Sequence, residues 1–356
     1  MKFQIRLITL FSAIKRTNPF TCGSLFLILF CVFSFSCNKK GFQRNEYANL
    51  ISEHPATDSR NYPLLSNDWS DRSFNIDESR ISYVKEMNDL DGFIEIPIPS
   101  HLTDEMKKRV KTISLSFRPE VKSLFDKYLY GIYFCEKLGG TGLTGFVYNN
   151  SKNKPLGGFI IIDSSVIKKK ANDWITFKER SAFQIGDISI QVQIEKEEDN
   201  TIDNALRYIL LHEMGHILSN TLGITPDLRN QSLDYTRYPF FDKVWISEKE
   251  SIYDEQVFLF RDKVKFYSPE AEALKLDIVW DQIYPLLSKT HFSTLYGATN
   301  ALDDFAETFV SYVHCILDKR PWELTLTKNG NTFFKMKNRI YELEREKEFM
   351  RKNVFK

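Results

Sequence analysis

His212, Glu213 and His216 stand in the run Leu211-His212-Glu213-Met214-Gly215-His216. Two histidines four apart on a helix share one face, one turn above the other, so both imidazoles can reach a single cation. The glutamate next to the first histidine then stands beside the coordination position left open. There it can take a proton from a water that the metal has made acidic. These residue types at this spacing are the minimum for metal-assisted hydrolysis. The plainer alternative is a pair of buried histidines serving only structural partners, and it leaves a costly set of polar groups to satisfy.

The motif needs a helix, and the flanking residues supply one. Asn200-Thr201 is a polar cap and Asp203 an acidic first turn. Leu206, Ile209, Leu210, Ile217 and Leu218 recur at helical spacing, and Gly223 is a stop. Zinc at a catalytic site takes three protein ligands and keeps one position for water. No histidine occurs from Ile217 through Thr225, so the third ligand is expected to be a carboxylate from a later helix. Tyr296 to Phe309 offers such a helix. Asn300 can cap it, and Asp303 and Asp304 suit its positive N-terminal end. Asp303 and Glu307 lie four apart on one face, with Phe305 and Phe309 turned toward a core. Both carboxylates are acceptable zinc ligands, and spacing alone leaves both open.

With both segments in view, the chain resembles the gluzincin branch of the HExxH zinc metallopeptidases. Its Tyr296-Gly297-Ala298-Thr299-Asn300 is similar to the Tyr-Gly-x-Thr-Asn run of the anthrax lethal factor family. That resemblance implies Asp303 as the zinc ligand, because the family's zinc glutamate falls seven residues after the tyrosine. It implies Glu307 as the partner that orients a zinc histidine, and Tyr296 as a hydrogen-bond donor to the developing oxyanion. The chain departs from the family in carrying aspartate where glutamate is usual. Aspartate is one methylene shorter, so its helix must come closer, or Glu307 must bind the metal instead. A tyrosine packed at a loop edge is the other reading of Tyr296. His291 and His314 are expected to be structural.

The resemblance covers two short motifs and the strand before them. It implies a zincin-like fold and a peptide or protein substrate. Two alternatives stay open: a metal-dependent hydrolase of a non-protein substrate such as a cell-wall amide, and an inactive zincin-fold lipoprotein that only binds a partner. The N-terminal end bears a looser similarity to zinc metallohydrolase lipoproteins of bacteria.

The elements that must position these residues suggest an α+β chain: a small mixed sheet, the motif helix, then a mostly helical C-terminal part, together spanning 91–356. Gly158–Asp163 and Ile188–Ile194 read as strands, and Phe93–Pro97 as a short edge strand. Pro119–Leu138 reads as one helix ended by Gly139-Gly140, with its aromatic stripe in the core. The insert between His216 and Asp303 carries Trp245, Phe258, Phe260, Phe266 and Trp280, and is expected to pack its own helices and in part cover the cleft. Arg339–Lys352 reads as a solvated helix laced by ion pairs.

Residues 1–36 read as a signal peptide of the lipoprotein type. Lys2, Arg6, Lys15 and Arg16 precede an apolar run from Leu25 to Phe35, too short to span a bilayer. Ser36-Cys37 then resembles a lipobox, which makes Cys37 a lipid-modified membrane anchor and the protein an exported one at a bacterial cell envelope. Residues 37–90, polar with scattered Tyr and Trp, read as a tether and irregular lead-in. Cys135 and Cys315 remain, either paired or as two buried thiols. The net charge is +1 over 356 residues and no basic block stands out, so nucleic acid is not an expected partner.

Overall fold

The computed structural model describes residues 45–151, 153–165, 168–267 and 272–356; the expected leader and Cys37 lie outside them. In chain order the helices are α1 (Ala48–Glu53), α2 (Glu78–Asp91), α3 (Asp104–Ser116), α4 (Pro119–Tyr128), α5 (Ala171–Arg180), α6 (Ile202–Thr221), α7 (Leu276–Leu287), α8 (Ala301–Ser311) and α9 (Glu344–Asn353). The strands are β1 (Ile98–Pro99), β2 (Leu129–Glu136), β3 (Gly142–Tyr148), β4 (Pro155–Asp163), β5 (Phe183–Gln184), β6 (Ile188–Gln193), β7 (Leu274–Lys275), β8 (Glu323–Lys328) and β9 (Asn331–Lys337). The architecture is α+β. One sheet runs β1-β2-β4-β3, with β2 and β4 parallel and β3 antiparallel at the edge. A second, antiparallel sheet runs β6-β8-β9, and β5 and β7 form a short parallel pair.

α6 is the centre of the molecule because it is apolar almost all round. Leu206, Ile209, Leu210, Leu211, Met214, Ile217 and Leu218 are all buried, and the helix packs on β3, β4, α5 and α8. Its start is fixed by Thr201, whose Oγ1 accepts from Asn204 N at 3.2 Å. The two sheet edges nearest the helices differ. On β6 the outward backbone groups are taken by α5: Val192 N donates to Thr176 Oγ1 at 2.9 Å, and Ile194 N donates to Asn172 Oδ1 at 2.8 Å. Those side chains blunt that edge. β3 pairs with β4 on one side only, apart from an isolated bridge between Tyr148 and Asp58.

Several expected elements differ from the observed ones. The helix from Pro119 stops at Tyr128, and the chain continues as β2. Residues 131–135 of β2 are buried on both faces, so this strand carries a continuous apolar run rather than an alternation, which periodicity cannot tell from a helix. Phe125, Tyr133 and Phe134 are core residues, as expected. Phe93–Pro97 is irregular, with Ile94 96 % exposed, and β1 begins only at Ile98. The C-terminal part is not mostly helical, because β8 and β9 form a hairpin there. Asn329 and Gly330 turn it, both at positive φ, the pair a type I′ turn requires. Arg339 starts a 3-10 turn and is buried against Leu287 O and Thr290 O. Only from Glu344 does the expected charged helix appear, and it still buries Met350 and Glu346. The insert after His216 is mostly turns, with α7 as its α-helix among the described residues.

The lead-in is folded from Tyr47 onward. Trp69 is buried against Phe117 and Phe125. The Arg80 guanidinium lies 4.4 Å over both the Tyr62 and Tyr133 rings. The polar residues that suggested a tether are caps: Asp58, Asp68 and Asp77 each accept from a backbone N–H at a helix start.

Candidate metal centre and its cleft

α6 and α8 cross beside the N-terminal end of α8, and the crossing brings three side chains to one point. His212 Nε2 and His216 Nε2 are 3.2 Å apart, and Asp303 Oδ1 lies 3.4 Å from each. A tetrahedral zinc with bonds of roughly 2.0–2.1 Å needs its ligand atoms about 3.3 Å apart. The three separations fit that requirement. Two imidazole nitrogens and a carboxylate oxygen face one another there, a donor set that a metal ion or a shared proton can bridge.

Two of the three donors are each aimed by a neighbour. Asn300 caps α8, its Oδ1 accepting from Asp303 N at 2.9 Å, while its Nδ2 donates to Asp303 Oδ2 at 2.6 Å. The cap therefore occupies one carboxylate oxygen and turns the other toward the histidines. Glu307, one turn further along α8, meets the opposite side of His212: its Oε1 lies 3.0 Å from His212 Nδ1. A proton on Nδ1 leaves the Nε2 lone pair free for a metal. Of the two carboxylates left open by spacing, Asp303 thus joins the histidine Nε2 pair, and Glu307 stands behind it.

Asp303 reaches because α8 comes very close to α6. A β-carbon placed on Gly215 would stand 2.7 Å from Ala306 Cα, so any larger residue at 215 pushes the helices apart. The shorter aspartate and the glycine inside the motif are two halves of one geometric solution.

Charge follows the same plan. Burial opposes ionisation of Asp303, but the two imidazoles hold its carboxyl well below the usual carboxylate range. Burial likewise opposes Glu307, and Lys178 and His212 bring it down to about 2. Burial would lower His212, yet Asp303 and Glu307 raise it to about 9. The pocket attracts positive charge at the spot where a cation would sit.

Glu213 faces the same cavity, of about 510 Å³, together with Trp174, Lys178, Phe266, Tyr267 and Tyr296. Thr144 Oγ1 on β3 lies 2.7 Å from Glu213 Oε2. Gly142 leaves room for the other oxygen, since a β-carbon there would stand 2.5 Å from Oε1. The Tyr296 ring lies 5.6 Å from the His212 ring, centroid to centroid. Burial, with Asp303 nearby, raises its phenol well above the usual value, so it stays protonated and a donor. The insert contributes Val264, Lys265, Phe266 and Tyr267 to the cavity wall, as expected of a segment partly covering a cleft.

The remaining histidines stand elsewhere. His291 meets Glu346 at 3.1 Å. His314 is buried, with Nε2 between Ile194 O at 2.8 Å and Pro321 O at 3.0 Å. Burial pushes it down to about 3, so it is a neutral structural donor. Cys135 and Cys315 are free and buried.

Lys178, Thr144 and Gly142 escape the sequence reading. Lys178 is one of many lysines. Gly139-Gly140 reads as a helix stop, and Gly142 just after it is where the backbone comes close to Glu213.

Glu179, beside Lys178, is 1 % exposed and has an unpartnered Oε2. Burial raises it to about 7. Between roughly pH 4.5 and 7 the native chain keeps a proton that the unfolded chain has lost, so this group's contribution to stability falls as pH rises. Glu179→Gln is expected to remove that fall. The stability gained over wild type in denaturant titrations should be about 2 kcal/mol larger at pH 8 than at pH 5. An equal gain at both pH values would refute the assignment.

Comparison of the chain with protein-family models, with curated proteins and with solved structures finds no match.

Proposed function

We propose that this chain is a zinc-dependent metallopeptidase of the gluzincin type, with His212, His216 and Asp303 as zinc ligands. The observation that carries the proposal is the triangle of donor atoms, 3.2, 3.4 and 3.4 Å on a side, with a glutamate beside it in one cavity. A zinc ion held there supplies Lewis acidity to a carbonyl oxygen and to water. Glu213 accepts the proton of the attacking water and delivers it to the leaving nitrogen. Thr144 and Gly142 seat its carboxylate for both tasks. Tyr296, kept protonated, donates to the oxyanion. Glu307 fixes the ring of His212, and Asn300 fixes Asp303. A peptide substrate suits the edge of β3, where an extended chain can add as a further strand beside Glu213.

The test is zinc content with turnover. Purified protein should carry one zinc per chain and cleave members of a fluorogenic peptide library, and a chelator should abolish cleavage. Glu213→Gln should keep the zinc and lose at least a hundredfold in kcat, since a positioned general base contributes about 10²–10⁴-fold. Undiminished cleavage by that variant would sink the mechanism.

Export and lipid anchorage through Cys37 belong to the same proposal and rest on the apolar run Leu25–Phe35 followed by Ser36-Cys37. Among the described residues no helix is long and apolar enough to cross a membrane. The mass of the N-terminal peptide from the envelope fraction is the check: an unmodified Cys37 still joined to Ser36 rules the anchor out.

A further inference from the structure

Lys178 reaches the centre from α5, an element the metal motif does not include. It is 4 % exposed, and its Nζ donates to Glu307 Oε1 at 2.7 Å. That oxygen is the one 3.0 Å from His212 Nδ1. The other oxygen of Glu307 accepts from Thr294 Oγ1 at 2.7 Å. The same ammonium lies 3.9 Å from the centroid of the Tyr296 ring. One side chain therefore touches both the acid behind a metal histidine and the candidate oxyanion donor.

Stability alone is a poor explanation for this arrangement. A lysine is almost never fully buried unless paired. Taking both charges out of water costs about as much as their attraction returns, so two apolar residues of similar volume would serve a core equally well. The pair makes sense through what its members hold. Without Lys178, Glu307 Oε1 would lose the hydrogen bond that holds it against Nδ1 of His212.

Resting on the zinc reading above, we propose that Lys178 is a positioning residue. It clamps Glu307 so that His212 presents Nε2 to the metal, and it seats the face of Tyr296 by a cation–π contact. Lys178→Gln is expected to weaken zinc binding 10–100-fold, the usual loss when an outer partner of a metal histidine is removed. With cobalt in place of zinc, its visible absorption spectrum should change. Lys178→Arg should recover part of both. Because the effect runs through Glu307, the double variant Lys178→Gln/Glu307→Gln should bind zinc as Glu307→Gln alone does. That double variant removes both charges of the buried pair and guards against a failure to fold. For the second contact, Lys178→Gln should lower kcat on a cleaved peptide, and should add nothing to that loss in a Tyr296→Phe background.

A purely structural lysine would lower the melting temperature yet leave zinc affinity and cobalt spectrum of the folded protein unchanged. That result, or additive losses in the double variant, overturns the proposal. A wild-type chain that binds no zinc fails one step earlier and takes the metallopeptidase reading with it. Tight zinc binding by wild type and Lys178→Gln alike removes only the role of Lys178.

Discussion

Asp303→Ala should bind zinc about two to three orders of magnitude more weakly than wild type, while Glu307→Gln should lose about one to two. The contrast follows from which ring nitrogen each acid faces. Asp303 lies 3.4 Å from the Nε2 atoms of both histidines, whereas Glu307 reaches only Nδ1 of His212. Binding of structural zinc by four protein ligands releases about 10–16 kcal/mol. One ligand is therefore worth roughly 2.5–4 kcal/mol, or about 10²–10³ in affinity. Removing an outer partner costs about 10–100-fold. Competition titration against a chromophoric chelator reads both values. Should Glu307→Gln lose the metal and Asp303→Ala keep it, the roles are reversed. Because Asp303 Oδ2 is held by Asn300 Nδ2 at 2.6 Å, Asn300→Ala should fall between the two.

How much of this site the sequence reveals depends on the range over which its signals act. The His-Glu-x-x-His run, its cap at Thr201 and the cap at Asn300 are local features, and each appears where its residues place it. The pairing of the two helices is not local. Spacing puts Asp303 and Glu307 on one face but says nothing of which stands nearer the histidines. That order depends on where α8 crosses α6, hence on Gly215 meeting Ala306. Lys178 arrives from a helix with no motif, and only the folded chain shows its reach.

Where the fold departs from what its sequence suggests, the origins are similar. β2 is buried on both faces and so lost its strand signature. Polar caps such as Asp68 and Asp77 made a packed lead-in resemble a tether. The Asn329-Gly330 hairpin is a different case. Its turn signal is local and strong, but β8 and β9 are short and β9 is largely exposed. The alternation in β8 is present, with Leu324 and Leu326 buried between Glu323, Thr325 and Thr327, but it runs over only six residues.

Gly215→Val should abolish zinc binding in a chain that still folds, and lengthening the third ligand should bring part of it back. A branched side chain at 215 must occupy space where a β-carbon alone would stand 2.7 Å from Ala306 Cα. Backbone cannot yield as a flexible side chain does, so α8 has to move outward. Asp303 then falls short of a metal held by His212 and His216. Overpacking of this kind costs about 1–3 kcal/mol of stability, which a large buried core can absorb. Aspartate in this position depends on close helix approach. Glutamate, one methylene longer, does not. Adding Asp303→Glu to Gly215→Val should therefore bind zinc more tightly than Gly215→Val alone, whereas Asp303→Glu in the wild-type background should bind more weakly than wild type. Such a reversal of sign is a coupling between positions 215 and 303 that additive damage cannot produce. Additive losses in that double-mutant cycle, measured by zinc titration, would show that the glycine has no part in bringing Asp303 to the metal.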